Sequence, residues 1–284
     1  MYKHFIYFLL ALSITSGLSA NNSWLDNYYY STEEARLEVG YATGDYISID
    51  EDYTEIAVFS PIRNTIFEHP FIDVRNYIFN NGKYAANIGF GVRHKLCMCD
   101  AAVGINTYYD YRRGNTKHSF NQWGVGLEYL DPNYDMRLNT YWVFDNNRHN
   151  SNRTRLVANG STFASERLLE YAYSGFDAEF GKKLFSYADF DLYAAAGPYY
   201  YTRSRIENFW GGFGRVELNW NSMVSLQVRV SHDDVNSTRV QGMIEVSIPL
   251  YQFCPCSVEE SCVDWLVIQP VRRNGIILTD HVWH

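Results

Sequence analysis

Between about residues 35 and 250 apolar and polar side chains take turns along the chain. Val224, Leu226, Val228 and Val230 alternate with Ser225, Gln227, Arg229 and Ser231. Ala86, Ile88, Phe90 and Val92 alternate with Asn87, Gly89, Gly91 and Arg93, and Trp123, Val125, Leu127 and Tyr129 with Gln122, Gly124, Gly126 and Glu128. The split continues in Met136, Leu138, Trp142 and Phe144 against Arg137, Asn139 and Tyr141, and in Ile244, Val246 and Ile248 against Glu245 and Ser247. A period of two is the mark of a β-strand with unlike faces. It predicts about twelve strands, near 35–48, 53–60, 71–79, 84–94, 101–111, 119–130, 134–144, 167–181, 187–202, 209–220, 223–232 and 238–250.

Such a pattern fits two architectures. In a soluble sandwich the oily face is the core, and in a membrane barrel it meets lipid while the polar face lines the lumen. Three features favour the barrel. The strands are longer than the five or six residues usual in sandwiches and suit a tilted bilayer crossing. The polar faces carry glycines and charges of both signs, as a packed, ion-paired lumen would. Aromatic residues crowd the strand ends, where interfacial girdles belong. Trp123, Trp142 and Trp220 fall on lipid-facing sides, Tyr109, Tyr111 and Tyr199 to Tyr201 near the interfaces, and Tyr108 and Tyr141 in the lumen. The expected fold is therefore all-β, a transmembrane antiparallel β-barrel of about twelve strands, whose even number lets it close without an exposed edge.

Composition explains how 24 Tyr, 17 Phe and 7 Trp coexist with a mean hydropathy of -0.30. Half of each strand is oily and half polar. A net charge of -8 and a pI near 5.5 argue against nucleic acid, whose binding rests on basic phosphate contacts. The chain also lacks the repeated runs of about 20 apolar residues that helical membrane proteins need. Residues 1–20 pair Lys3 and His4 with an apolar stretch from Phe5 and end in Leu18-Ser19-Ala20, which reads as a secretory signal cleaved after Ala20. Residues 21–34 then form an N-terminal periplasmic segment, 35–250 the barrel, and 251–284 a cysteine-containing tail that could enter the lumen.

With the start of the barrel in the periplasm, the tight connections at 131–133 and 221–222 lie inside. The polar stretch 145–166, which shows no strand pattern, becomes a long surface loop. The same topology places Cys97, Cys99, Cys254, Cys256 and Cys262 on the periplasmic side, where oxidation is managed. They are candidates for disulfides, within the chain or to another envelope protein, because C-x-C pairs without a nearby His suit zinc poorly. No metal or cofactor is expected.

Gly104-Ile-Asn-Thr-Tyr-Tyr-Asp-Tyr-Arg-Arg-Gly-Asn115 followed by Gly124-Val-Gly-Leu-Glu-Tyr129 resembles the inverse autotransporter β-domain, the barrel of intimin and invasin. Asn87 to Arg93, Gly175 to Gly181 and the Gly-Pro-Tyr-Tyr-Tyr run at 197–201 resemble strands of the same family. The resemblance implies a twelve-stranded outer-membrane barrel in a Gram-negative-type envelope, whose chain threads back through the pore after the last strand to display a passenger. Only 34 residues follow residue 250 here, which leaves no room for immunoglobulin-like or lectin modules. The expected role is that of a membrane anchor for surface display or surface interaction, with a porin-like diffusion channel as the first alternative and a barrel lipid hydrolase as the second. Candidate partners are outer-membrane lipid, the barrel-assembly machinery, a host or surface partner and a disulfide-linked envelope protein.

The candidate lumen residues are Arg93, Asn106, Tyr108, Asp110, Glu128, Arg137, Arg215, Glu217, Arg229 and Glu245, chosen because they alternate with lipid-facing neighbours. Little else carries chemistry. His149-Asn150-Ser151-Asn152 partly matches the His/Ser/Asn set of barrel lipid hydrolases but lacks its following glycine and strand context. His232-Asp233-Asp234 and Asp50-Glu51-Asp52 read as ordinary loop charges.

Overall fold

The computed structural model describes residues 35–62, 67–96, 101–114, 118–144, 148–159, 162–203, 208–221, 223–250 and 268–283. The expected signal segment, residues 21–34 and all five cysteines lie outside them. Fifteen strands are described: β1 (Arg36–Gly44), β2 (Tyr53–Pro61), β3 (Glu68–Phe79), β4 (Tyr84–Leu96), β5 (Ala101–Arg113), β6 (Ser119–Leu130), β7 (Tyr134–Phe144), β8 (Arg148–Asn159), β9 (Thr162–Ala172), β10 (Ser174–Tyr187), β11 (Phe190–Thr202), β12 (Phe209–Trp220), β13 (Val224–Asp233), β14 (Ser237–Pro249) and β15 (Thr279–Trp283).

Twelve of them close a barrel in the order β1-β14-β13-β12-β11-β10-β7-β6-β5-β4-β3-β2, every pair antiparallel. The seam between β1 and β14 runs over the whole of β1, from Arg36 opposite Pro249 to Gly44 opposite Gln241. Closure satisfies the backbone of every wall strand, which a lipid environment requires.

The wall decides between sandwich and barrel. Ile88, Phe90, Ile105, Trp123, Leu127, Met136, Trp142, Trp220, Leu226 and Val228 are exposed, and their neighbours Asn87, Asn106, Asp110, Gln122, Glu128, Arg137 and Gln227 are buried. Oily residues outside and charge inside is the inverse of a soluble fold and suits a barrel in lipid. Phe190 and Trp220 stack at a centroid distance of 6.1 Å at one end of the wall, and Tyr84 and Tyr111 at 5.5 Å at the other.

The two barrel ends differ. At one end, called here the turn end, lie Arg36, Pro249 and short connections such as Asp131-Pro132-Asn133. There the Asp131 carboxylate accepts the Asn133 N–H at 3.0 Å, and Asp131 N–H donates to the Tyr134 carbonyl at 2.9 Å. From the opposite rim, the hairpin end, β8 and β9 rise between β7 and β10 and form a separate three-stranded sheet in the order β15-β9-β8.

This corrects the sequence reading of 145–166 as a loop, and of 167–181 as one strand. The stretch 167–181 is the end of β9 and the start of β10, parted at Tyr173, whose N–H donates to the Leu278 carbonyl at 3.0 Å. The hairpin escaped notice because β8 and β9 leave the barrel wall for a sheet of their own, where no lipid imposes the alternation seen in the wall strands. A second correction concerns 35–48. The strand stops at Gly44, whose φ of 92° is open to glycine, and 45–49 turns into the barrel with Tyr46, Ile47 and Ile49 buried. The turn is held by the Asp52 carboxylate, which accepts the Gly44 N–H at 3.0 Å. That bond holds the Asp52 carboxyl below its ordinary pKa.

Candidate functional site

The lumen is occupied by the chain's own tail. From Ile268 near the turn end, an extended segment runs the length of the barrel to the hairpin end, and the wall reaches for it at almost every step. Arg93 donates to the Gln269 carbonyl at 2.6 Å and Arg75 to the Val271 carbonyl at 2.6 Å. Arg272 pairs with Glu217 at 2.9 Å, while the Arg272 carbonyl accepts from Asn139 at 3.3 Å. Arg273 makes two bonds to Asp110, at 2.7 and 2.6 Å. The Asn274 N–H donates to the Tyr141 hydroxyl at 2.9 Å, the Gly275 carbonyl accepts from Asn87 at 2.7 Å, and the Ile277 carbonyl from Arg112 at 2.5 Å. Past Leu278 the tail becomes β15 and pairs with β9, from Thr279 opposite Ala172 to Trp283 opposite Leu168.

A buried backbone outside any sheet must find partners for its polar groups. Here wall arginines and asparagines serve carbonyls that a neighbouring strand would otherwise serve. The clearest seat is that of Arg273. Its guanidinium lies 4.2 Å from the centre of the Tyr108 ring and 5.4 Å from that of Tyr141. Between those two tyrosines in the register stands Gly124, and a Cβ there would lie 2.5 Å from the Arg273 guanidinium. The glycine leaves the volume the arginine fills.

Around this seat the wall charges form a network. Arg93 pairs with Glu128 at 3.0 Å and lies 4.9 Å from the centre of the Phe71 ring. Arg137 reaches Asp135 at 2.6 Å and Glu179 at 3.2 Å, and Arg215 reaches Glu217 at 2.7 Å and Glu179 at 2.8 Å. Arg75 pairs with Asp73, which also accepts the Tyr108 hydroxyl at 2.7 Å. Asp110 additionally accepts from Asn87, and from Gln122 at 3.1 Å.

All ten candidate lumen residues point inward. Arg93, Tyr108, Asp110, Glu128, Arg137, Arg215 and Glu217 belong to the network above. Asn106 is buried beside Gly126 with neither amide atom bonded to protein. Arg229 bonds to Gln227, and to the Met243 sulfur at 3.2 Å. Glu245 lines a cavity beside the tail. Tyr199 and Tyr201 are corrections, because both are fully buried in the lumen and do not sit at the lipid interface. Their alternation was hidden in a run of three tyrosines, and only pairing with β12 sets which of them faces in. Residues 149–152 lie on β8, outside the barrel. Asp233 caps its own turn by accepting the Val235 N–H at 2.9 Å and holds the Tyr199 hydroxyl at 2.6 Å. Glu51 pairs with Lys83 and so is not a free surface charge. Sequence reasoning missed Asp73 and Arg75, although both stand on the polar side of a strand reading Phe71-Ile-Asp-Val-Arg-Asn-Tyr. It also missed Arg272 and Arg273, which carry no period of their own.

Near the hairpin end the lumen changes character. Tyr46, Ile47, Ile49, Tyr53, Tyr77, Phe79, Tyr173, Tyr199, Tyr201 and Phe209 form one buried cluster with Ile276 and Leu278 of the tail. Phe209 meets Tyr173 edge-on at 5.2 Å, a favoured aromatic geometry. Among the described residues no group of three or more His, Cys, Asp or Glu is placed to hold a metal ion.

A closed twelve-stranded barrel with an oily outside and an ion-paired inside defines an outer-membrane β-barrel. The family model described as inverse autotransporter, beta-domain matches residues 70–248, and the chain belongs to that family. It is accordingly an outer-membrane protein of a Gram-negative-type envelope, embedded in membrane lipid. Solved membrane barrels share the fold, two of them as follows. One is a protein from a study of in-meso crystallization of membrane proteins, at 16% identity and a TM-score of 0.61, covering 87% of this chain and 99% of the other. The second is an outer membrane channel from Pseudomonas putida F1, at 11% identity and a TM-score of 0.53, covering 81% of this chain and 100% of the other. A comparison with curated proteins finds no match.

Proposed function

We propose that the barrel is a membrane anchor that carries its own tail through the lumen and holds the tail's end at the cell surface, for display or surface interaction. The observation that carries this reading is the chain of bonds from Gln269 to Leu278, ending in the pairing of β15 with β9 beyond the rim. A segment meant only to close a pore has no need to reach past it. On this reading the hairpin end faces outward and the turn end faces the periplasm, in line with short turns inside and longer connections outside. The filled lumen weighs against the alternative of an open diffusion channel. The lipid-hydrolase alternative gains nothing from residues 149–152, which share one strand of the hairpin outside the barrel.

The experiment is an epitope placed after His284 in intact cells. The reading expects antibody labelling without permeabilisation. Labelling only after the outer membrane is opened would reverse the orientation and end the display proposal.

A further inference from the structure

The tail does not fill the lumen evenly. Two cavities remain beside it. One, of about 80 Å³, lies between tail residues 270–276 and wall residues of β1 to β3, β7, β10 and β12 to β14. The other, of about 240 Å³, lies at the turn end. Both are lined by Glu38, Arg215, Glu245, Pro270 and Arg272, so they adjoin. A water needs roughly 10–15 Å³ on this measure, and the lining is polar, so the smaller cavity alone has room for several waters. Together they form a polar half-channel that runs alongside the tail from the turn end.

The half-channel ends under the inward-folded segment 45–49. Tyr46, Ile47 and Ile49 line its far wall together with Ile276 of the tail. Those side chains belong to the aromatic cluster that excludes water from the hairpin end. Arg229 lies 5.5 Å from the centre of the Tyr46 ring, but few polar bonds fasten the segment to the wall. Asp45 N–H donates to the Val240 carbonyl at 3.0 Å, Ile47 N–H to the Ser231 hydroxyl at 3.4 Å, and the Ser48 hydroxyl to Asn236 at 3.1 Å. Arg239 reaches the Ile49 carbonyl at 3.5 Å. Ser48 sits at a φ of 51°, a left-handed conformation that costs a residue with a Cβ. All of these bonds but the last join neutral groups, whereas Arg272 and Arg273 fix the tail by charge-assisted bonds to carboxylates. Of the two plugs in the lumen, the first loop is the one that can leave while the tail stays.

We propose that segment 45–49 is the gate of an ion path that runs beside the tail, and that the path prefers cations. The preference follows from which charges are already engaged. Arg75 is bound to Asp73, Arg215 to Glu179 and Glu217, Arg272 to Glu217 and Arg273 to Asp110. Glu38, Glu55 and Glu245 stand together on β1, β2 and β14, with Gly40 opposite both of the latter two. Glu38 is buried with Oε1 unpartnered, and Glu55 is 4.0 Å from Arg75, at the limit of an ion pair. Against these three carboxylates stand Arg229, bonded to Gln227 and Met243, and Arg36, which lies over the Phe59 ring at 6.0 Å. Asp177 and Glu179 face the same cavity from β10, and acidic side chains held by no arginine, Asp177 among them, outnumber the arginines held by no carboxylate.

The test is the full-length protein in planar lipid bilayers under a potassium chloride gradient. The parent should open rarely. Ile47→Ala with Ile49→Ala should raise the open probability by at least about tenfold, because buried large-to-small changes weaken packing by that order or more. Ser48→Ala, which removes one neutral bond, should raise it less. The reversal potential of these openings should lie on the cation side, and Glu38→Gln with Glu245→Gln should move it toward zero. A double-alanine protein that is folded, as shown by a heat-modifiable band, but as silent as the parent overturns the gate. Openings whose selectivity ignores both glutamates overturn the path. Because the epitope after His284 reports display separately, failure here is distinguishable from failure of the anchor reading.

Discussion

The two halves of the lumen solve different problems with different chemistry. Toward the turn end, arginines and carboxylates hold the tail one residue at a time and leave polar space beside it. Toward the hairpin end, aromatic and aliphatic side chains close on the same tail as one buried cluster. Buried ion pairs are poor sources of net stability, since desolvation offsets most of their attraction, but they fix which atoms meet. Packed aromatic rings contribute area and edge contacts with less demand on register. The charged half therefore sets the path and direction of the tail, and the aromatic half shuts the pore around it.

The comparison can be broken most directly at Asp110. Asp110→Ala leaves Arg273 buried without its carboxylate and strips a partner from Asn87 and Gln122. It should cost about 3–5 kcal/mol of unfolding free energy, measured by urea titration of the folded barrel. It should also loosen the tail enough to raise basal conductance. A loss below about 1 kcal/mol would mean that the charged half does not seat the tail.

The aromatic half should respond to overfilling instead. A Cβ at Gly211 would lie 2.2 Å from the Tyr199 ring, so Gly211→Ala should cost about 1–3 kcal/mol while leaving the tail's path unchanged. If it released the tail as Asp110→Ala does, the division of labour between the halves would fall.

The smallest expected effect is at the entrance to the first loop. Asp52 has a lowered folded-state pKa, chiefly because its carboxylate accepts the Gly44 N–H. The stabilisation is present above the unfolded value near 3.9 and is lost as pH falls through the lower folded value. Protection of residues 44–52 from hydrogen exchange should therefore hold at neutral pH and drop only in acid below the usual carboxylate range. Asp52→Asn should remove that step. An unchanged profile in the variant would assign the loop's order to its buried side chains alone.

Much of the wall was legible because lipid imposes one rule on every strand. Ile88, Trp123, Leu127 and Trp142 must be oily on one side, so Asn87, Gln122, Glu128 and Tyr141 on the other side announce the lumen. Where that rule lapses, the reading lapsed as well. β8 leaves the wall for a separate sheet, and Gly44 ends β1 through a backbone angle that an alternation count does not register. Tyr199 and Tyr201 lie in a run of like residues, where one register shift exchanges inside for outside.

The sequence by itself determined the class of fold, the number of wall strands to within the substitution of one segment, and several inward residues of the network, Arg93, Asp110 and Glu128 among them. These are consequences of local alternation between two solvents. Only the tertiary structure decided that Arg273 faces Asp110 across 163 positions of chain, that β15 completes a sheet with β9, and that the first loop is buried against Ile276. Contacts of that kind depend on volumes left open by residues such as Gly124 and on a segment with no period of its own. Their partners are set when the barrel closes around the tail, by geometry that no run of neighbouring residues contains.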